Sequence, residues 1–341
     1  MPTIKDVARE AGVSIATVSY VLNNREDMVG AQTRQHVLEV AAQLGYKPNI
    51  VARNLRASRT SLIGYAWHTH PSDHPHSVMD QFIYHLAQAA ESRHYHLLTF
   101  THPYDDPLGV YAELIQSGRV DGFALAETTY NDPRIAFLIE QKFPFVSFGR
   151  ANPGWDFHWI DTNGRAGMQM ATNYLMDIGH QRIAFLGWPE DSLSGNDRLT
   201  GYVDALQAGG LALREDYILH NDYAQNSIER TFTYWLDLPT AERPTAVVAI
   251  SDHIAAAAMR TAERFGLRIG EQLSLVGFDD APFVHYLRPE LTTVRQPFNL
   301  MTTLLMECLD SLIQGQEPPN KTRLIEPELI IRESTAPPPV G

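Results

Sequence analysis

Three stretches of this 341-residue chain carry side chains whose types and spacing could do chemistry. The first is a set of polar and aromatic residues that recur just after short apolar segments. Trp188 follows "RIAFLG", with Arg198 in the helical segment beyond it. Ser251, Asp252 and His253 follow "AVVAI", Asp279 and Asp280 end "LSLVGFDD", and Gln296 and Phe298 follow "LTTVR". Paired donors and acceptors suit vicinal hydroxyls, and an aromatic face suits the C–H side of a ring, so this set could recognise a polyhydroxylated compound. Each residue also has a structural reading: Asp252 can cap the next helix, Asp280 can cap a turn, and Trp188 can pack on a rim. The second stretch is "GVSIATVSYVLNN", residues 12–24, where Val18, Val21 and Leu22 share one side of a helix and Thr17, Ser19, Tyr20 and Asn23 the other. That polar side suits something long and charged. The third is "WHTHPSDHPH", residues 67–76, whose four histidines could ligate a transition metal. With Pro71 and Pro75 making a loop, no cysteine nearby and no standard zinc spacing, the expectation is a polar loop and no metal.

Other chemistries lack their usual anchors. No GxGxxG follows the first strand, and no GxxxxGK[ST], GxSxG or HExxH occurs, so no cofactor and no enzyme activity is expected. The single cysteine, Cys308, excludes an internal disulfide and reads as a small core residue of a helix over 299–315. The start has no basic segment leading into an apolar one, and no apolar run is long enough to span a bilayer, so a cytoplasmic protein is expected. Net charge is −13, unevenly spread: residues 1–60 hold eight Lys/Arg against five acids, and the remainder carries −16. A basic head on an acidic body gives the head to a polyanion and the body to something else.

The elements that position these residues follow from periodicity. Thr3 and Asp6 begin a helix that Gly12 ends, Ser14 caps a second after a turn of a few residues, and a third runs from about Ala31 to Leu44 with Val37, Leu38, Ala41 and Leu44 inward. This is helix-turn-helix spacing. In such a unit the second helix enters the major groove; Ile15, Ala16 and Tyr20 would face bases, and Thr17, Ser19 and Asn23 phosphates. Taken alone, the pattern leaves a small bundle with a solvated polar face equally open. The next segment, "YKPNIVARNLRASRT", has two helical turns, too few to stand alone, with Arg53, Arg56 and Arg59 around Leu55. It has the makings of a minor-groove reader with an apolar wedge that folds on its partner.

"TIKDVAREAGVSIATVSYVLNN", "TR" at 33–34 and "LGYKPNIVARNLR" together resemble the DNA-binding head of the lactose-repressor (LacI/GalR) family of bacterial transcriptional regulators, and the resemblance runs along nearly the whole chain. It implies a homodimer on a palindromic double-stranded operator, with hinge segments in the minor groove. By position, Ile15, Ala16 and Tyr20 would read bases; Thr17, Ser19, Asn23, Arg34 and Asn49 would hold phosphates; Ala52, Arg53 and Leu55 would enter the minor groove, Leu55 intercalating. Tyr20 stands where the family usually has Arg, so the common bidentate contact to guanine is lost. Gly30 replaces the usual Ser cap of the third helix.

After Ser61 short apolar runs alternate with helical segments, the mark of βαβ units around parallel sheets, and the alternation restarts near residue 162, which implies two lobes. The body resembles the two-lobed, doubly wound periplasmic-binding-protein-like α/β receptor of the same family, giving an all-α helix-turn-helix head plus an α/β body. The expected divisions are a head over 1–47, a hinge over 48–60 and a receptor over 61–334. Within the receptor, one lobe takes 61–161 and 293–322 and the other 162–291 and 323–334, ahead of a disordered tail over 335–341. By family position Ser194, Arg198, Ser251, Asp279 and Gln296 would bond a small-molecule effector, with Trp67, His68 and Tyr223 as walls. Arg150, also expected to contact the effector, follows Gly149 where the family often has an Asp-Arg pair, so one ligand-facing carboxylate is missing. Trp155, Asp156, His158, Trp159 and Asp161 hint at a di- or oligosaccharide. The expected function is a repressor of carbohydrate use released by a sugar, with no membrane partner and a bacterial nucleoid location; the alternatives are a purine or other corepressor, or a solute-binding protein.

Overall fold

The computed structural model describes residues 2–22, 28–46, 59–67, 77–103, 106–188, 193–220, 227–318 and 321–339. The chain divides into two compact units, Met1–Ser61 and Leu62–Gly341.

In the first unit, α1 (Ile4–Glu10), α2 (Ile15–Leu22) and α3 (Ala31–Gln43) enclose Val7, Ala8, Ala11, Val18, Val21, Val37, Val40 and Ala41. Helix α1 opens on reciprocal local bonds: Asp6 Oδ2 accepts from the Thr3 N–H at 2.9 Å and from its hydroxyl at 2.8 Å. Ser14 Oγ accepts the Thr17 N–H at 3.0 Å and so starts α2. The inward stripe of α3 differs from the expected one by a single position. Leu38 is 41% exposed and Val40 is buried, because 37, 40, 41 and 44 fall on one helical face. At the start of α3, Gly30 supplies no side-chain cap bond.

The second unit contains two six-stranded sheets. The first lobe has β1 (Leu62–Trp67), β2 (His96–Thr101), β3 (Gly122–Leu125), β4 (Phe145–Phe148), β5 (Trp159–Thr162) and β11 (Thr322–Ile325), in the order β11-β5-β4-β3-β1-β2, all parallel. Among the described residues its helices are α4 (Ser77–Ser92), α5 (Gly109–Gln116), α6 (Pro133–Gln141) and α11 (Phe298–Ile313). The second lobe has β6 (Ile183–Gly187), β7 (Ile218–His220), β8 (Ala246–Ala249), β9 (Ser274–Asp279), β10 (Thr292–Arg295) and β12 (Glu328–Ile330), in the order β12-β10-β9-β8-β6-β7. Among the described residues only β12 runs antiparallel there. Its helices are α7 (Gly164–Asp177), α8 (Leu193–Ala208), α9 (Ser227–Asp237) and α10 (Asp252–Arg264). The central strands, buried along their whole length, are the near-continuous apolar runs that a sheet covered on both faces needs. Cys308 is buried in the first-lobe core, where burial pushes its thiol up to about 12.

The chain passes between the lobes three times, the first passage one residue later than expected and the other two three or four residues later. Thr292–Arg295 pairs in register with Val276–Asp279, so β10 belongs wholly to the second lobe. Thr322–Ile325 pairs with Trp159–Thr162, so β11 closes the first lobe's sheet. The exchanges therefore follow Thr162, Arg295 and Ile325.

The expected disordered tail is another correction, for Thr335–Pro339 is laid against the second lobe. Ser274 Oγ donates to the Ala336 carbonyl at 2.9 Å and accepts the Ala336 N–H at 3.0 Å. Buried His180, with its proton on Nε2, donates to the same carbonyl at 2.9 Å, and its Nδ1 accepts from Thr245 Oγ1 at 2.9 Å. Composition registers three prolines here but not the polar partners supplied from elsewhere.

Burial holds the His180 pKa below its ordinary 6.5, against the Ala336 bond that works to raise it. The unfolded chain then binds more protons between the two values, so this contribution is complete above about pH 6.5 and is lost as pH falls through the folded value. Urea unfolding of the parent and a His180→Gln variant is expected to show a stability gap at about pH 7 that narrows towards about pH 5. An equal gap at both would rule out neutral His180 as the clasp.

Candidate functional site

On α2 the side chains expected to face DNA lie opposite the buried stripe. Ile15 is 42% exposed, Ala16 is exposed, and Ser19 and Tyr20 are half-buried beside them. Positions 15, 16, 19 and 20 fall on one face, as a groove-reading helix requires. Thr17 sits at the flank, its hydroxyl 2.9 Å from Ser14 Oγ within the turn. Arg34 is half-buried on the first turn of α3. Asn23, Asn49, Ala52, Arg53 and Leu55 lie outside the described residues.

In the second unit the strand-end residues converge where the lobes meet. Arg198, on α8, is 5% exposed and lies against two rings, its guanidinium carbon 3.7 Å from the centre of Phe278 and 5.3 Å from that of Trp188. Its Nη1 donates to the Ile250 carbonyl at 2.5 Å, and its Nη2 stands 3.8 Å from Asp279 Oδ1. Its Nε is buried without a hydrogen-bond partner among the described residues. Gly164 permits this placement, since a Cβ there would lie 3.2 Å from Arg198 Cγ. Burial lowers the Arg198 pKa and pushes Asp279 up to about 6, although each charge favours the other.

Asp279 and Asp280 both have positive φ, 124° and 55°, an uncommon conformation for non-glycine residues and one concentrated at functional sites. They are held by what faces them. Gln296 Nε2 donates to Asp279 Oδ1 at 2.7 Å, and Asp280 accepts from Arg295 at 2.7 Å and Arg332 at 2.6 Å. Burial works to raise the Asp280 pKa, but those two arginines hold it below the ordinary carboxylate value. A cavity of about 340 Å³ reaches from Asp279 and Gln296 to Gln81 and His85 on α4 of the first lobe.

The first lobe contributes Arg150. Its Nε donates to Asp161 Oδ2 at 2.8 Å and its Nη2 pairs with Asp197 of the second lobe. Asp161 Oδ1 accepts the Thr162 N–H at 2.8 Å, and Thr162 Oγ1 donates to Gln296 Oε1 at 2.5 Å. The bonds thus close a circuit: Asp197, Arg150, Asp161, Thr162, Gln296, Asp279, Arg198 and back along α8 to Asp197. Burial raises the Asp161 pKa, opposed by Arg150; for Arg150 the two carboxylates outweigh burial and raise its own.

Of the expected effector residues, Arg150, Trp188, Arg198, Asp279 and Gln296 are thereby brought together, and half-buried Ser194 lies on the first turn of α8. Others are engaged within one lobe. Ser251 Oγ accepts the Ile254 N–H at 3.4 Å at the start of α10. Asp252 accepts from the Ala281 N–H at 2.7 Å and from Thr293 Oγ1 at 2.5 Å, tying α10 to the ends of β9 and β10. Burial and then the nearby Asp279 charge raise its pKa well above the ordinary value. Phe298 is 3% exposed among Phe82 and Phe148, although it also lines the cavity at Asp279 and Gln296, and half-buried Trp67 meets Tyr65 edge-on. His253 is exposed beside Phe283. Trp155 and Trp159 pack on the first-lobe core together with buried Phe157, so much of that aromatic cluster is packing.

His68 and Tyr223, and all four histidines of 67–76, lie outside the described residues. Among the described residues no group of three or more His, Cys, Asp or Glu could hold a metal ion, and no helix is long and apolar enough to cross a membrane. Reading strand ends missed Asp197 and Thr162 and gave Asp161 no bonding role. Asp197 had one signal available: it precedes Arg198 on a helix, so the two point about 100° apart and can serve both sides of the same gap.

Residues 3–49 match the family described as bacterial regulatory proteins, lacI family, and residues 172–335 match a periplasmic binding protein-like domain. The chain is 32% identical over 344 residues to the HTH-type transcriptional regulator GalR of Escherichia coli (strain K12), covering 99% of this chain and 97% of GalR. The structure of the transcriptional regulator CelR–cellobiose complex superposes with a TM-score of 0.73 at 29% identity, covering 98% of this chain and 100% of CelR. The lac repressor dimer bound to operator and the anti-inducer ONPF gives a TM-score of 0.76 at 27% identity, covering 98% and 99%. With a helix-turn-helix unit preceding a bilobed α/β body along the full length of such relatives, the chain belongs to the lacI family of bacterial regulatory proteins, DNA-binding regulators of transcription that act as dimers and answer to small-molecule effectors.

Proposed function

We propose that this regulator is a repressor released from a palindromic operator when a neutral sugar binds between the lobes. The observation that carries this reading is Arg198, a buried guanidinium against two rings whose Nε has no hydrogen-bond partner among the described residues, beside Asp279 and Gln296. A donor, a carboxylate and an amide around one point suit adjacent hydroxyls, each of which can accept and donate. Charge favours neutrality. In the circuit three carboxylates, Asp161, Asp197 and Asp279, face two guanidiniums, Arg150 and Arg198, so no cation is spare for a phosphate or carboxylate. CelR, whose structure holds cellobiose, supports an uncharged saccharide. Within this reading Ser194, Trp188, Arg198, Asp279 and Gln296 contact the effector, Ile15, Ala16 and Tyr20 read bases, and Leu55 wedges the minor groove.

The test is a thermal-shift panel of mono- and disaccharides with sugar phosphates and purines as contrasts. A ligand at 100 times its Kd adds about 2.7 kcal/mol to the stability of the state it binds. A neutral sugar is expected to raise the melting point and to weaken operator binding by the same factor by which operator weakens sugar binding. Shifts from sugar phosphates or purines alone would sink the neutral-sugar reading.

A further inference from the structure

Arg150 is held on its own lobe from several sides. Its carbonyl accepts from Thr128 Oγ1 at 2.8 Å, its Nε binds Asp161, and its guanidinium carbon stands 5.8 Å from the centre of the Trp159 ring. The preceding Gly149, at φ +102°, leaves no room for a side chain, since a Cβ there would lie 2.6 Å from Thr128 Oγ1. Only the Nη2 arm reaches the other lobe. Asp197 is equally fixed on its side: Tyr202 OH of the same helix donates to the Ile183 carbonyl at 2.8 Å, and α8 packs closely on α7 at Gly201. Among the described residues Arg150 is the only cation within ion-pair distance of Asp197.

We infer that the Arg150–Asp197 pair is a cross-lobe clamp, with Asp197 a positioning residue that sets how far the lobes stand apart and contacts no effector. The two side chains stand on elements anchored in different lobes, so separation or rotation of the lobes breaks the pair. Arg150 uses its Nε and one Nη2 proton on two carboxylates, one from each lobe, which gives it a bridging task. The clamp also explains why the circuit closes. Asp197 and Arg198 are adjacent on α8, so separation of the lobes at Asp197 pulls on the residue that the proposed effector would touch.

The experiment needs neither sugar nor DNA, so its outcome is independent of the neutral-sugar reading. Exposed Lys142 and Gln207, one on each lobe, are changed to cysteine and spin-labelled in the full chain; buried Cys308 is left in place. The labelled protein is diluted with unlabelled protein so that each dimer carries one labelled subunit, and the interlobe distance distribution is measured by pulsed electron resonance. Asp197→Asn and Asp197→Ala should each raise the ratio of longer-distance to parent-distance populations by about two- to five-fold, the range for a partly exposed ion pair. Arg150→Lys, whose single nitrogen replaces the two separated arms of the guanidinium fork, should do the same. In the parent, raising the salt to about 1 M should reproduce the shift without any substitution, while the Asp197→Asn distribution should respond less. Distributions of both Asp197 variants that superpose on the parent's would overturn the clamp, as would a parent distribution indifferent to salt.

Discussion

Arg198→Ala is expected to abolish the thermal shift by the proposed sugar effector and also to destabilise the second lobe by about 3 kcal/mol, the low end for removing one partner of a buried charge pair. The low end applies because the pair with Asp279 spans 3.8 Å and Gln296 stays bonded to that carboxylate at 2.7 Å. What is lost besides charge is the slab that packs against Trp188 and Phe278 and the donor to the Ile250 carbonyl. Titration of operator DNA at low ionic strength should still show binding, since the helix-turn-helix unit has its own core. A variant that responds normally to sugar would clear Arg198 of its assigned role, whatever its melting point.

Asp252→Ala is expected to cost about 2–3 kcal/mol, because it leaves the Ala281 N–H and the Thr293 hydroxyl without their acceptor in the core. Asp252→Asn should cost under about 1 kcal/mol: the amide oxygen can take the Ala281 N–H and the NH₂ can donate to Thr293, while a like charge beside Asp279 disappears. Denaturant midpoints of the two variants separate these outcomes. Equal losses for Ala and Asn would show that the carboxylate charge, rather than its two bonds, matters. Sugar affinity unchanged in Asp252→Asn would place the residue outside the effector contacts.

The contrast between these two aspartates shows what the sequence could convey. Strand-end position singled out Asp252 and Asp279 alike, because both follow an apolar run that predicts a buried strand. It could not say which way each would face. Asp252 follows its strand by three residues and falls at the first turn of a helix, where local geometry turns it onto β9 and β10. Asp279 is the last residue of its strand, and its positive φ is imposed by Gln296 and the bonds to Asp280, which come from remote parts of the chain. The helix-turn-helix unit was legible almost residue by residue, since capping, turn and core lie within one short segment. The alternation of strands and helices gave two lobes, yet not the residue at which each passage falls, because that depends on pairing between strands far apart in sequence. The same reason hid the bond between Arg150 and Asp197, residues that no local period connects, and the clasp on Thr335–Pro339.

The three passages between the lobes make them topologically inseparable. Neither lobe is a continuous stretch of chain, so a single proteolytic nick after Thr162, Arg295 or Ile325 leaves two covalent tethers intact. A chimaera that borrows one lobe from a relative must be spliced at all three points in register. Recombination at a single crossover would combine mismatched sheets, and new effector preferences in such a protein are reached more readily by point substitution within the existing cleft.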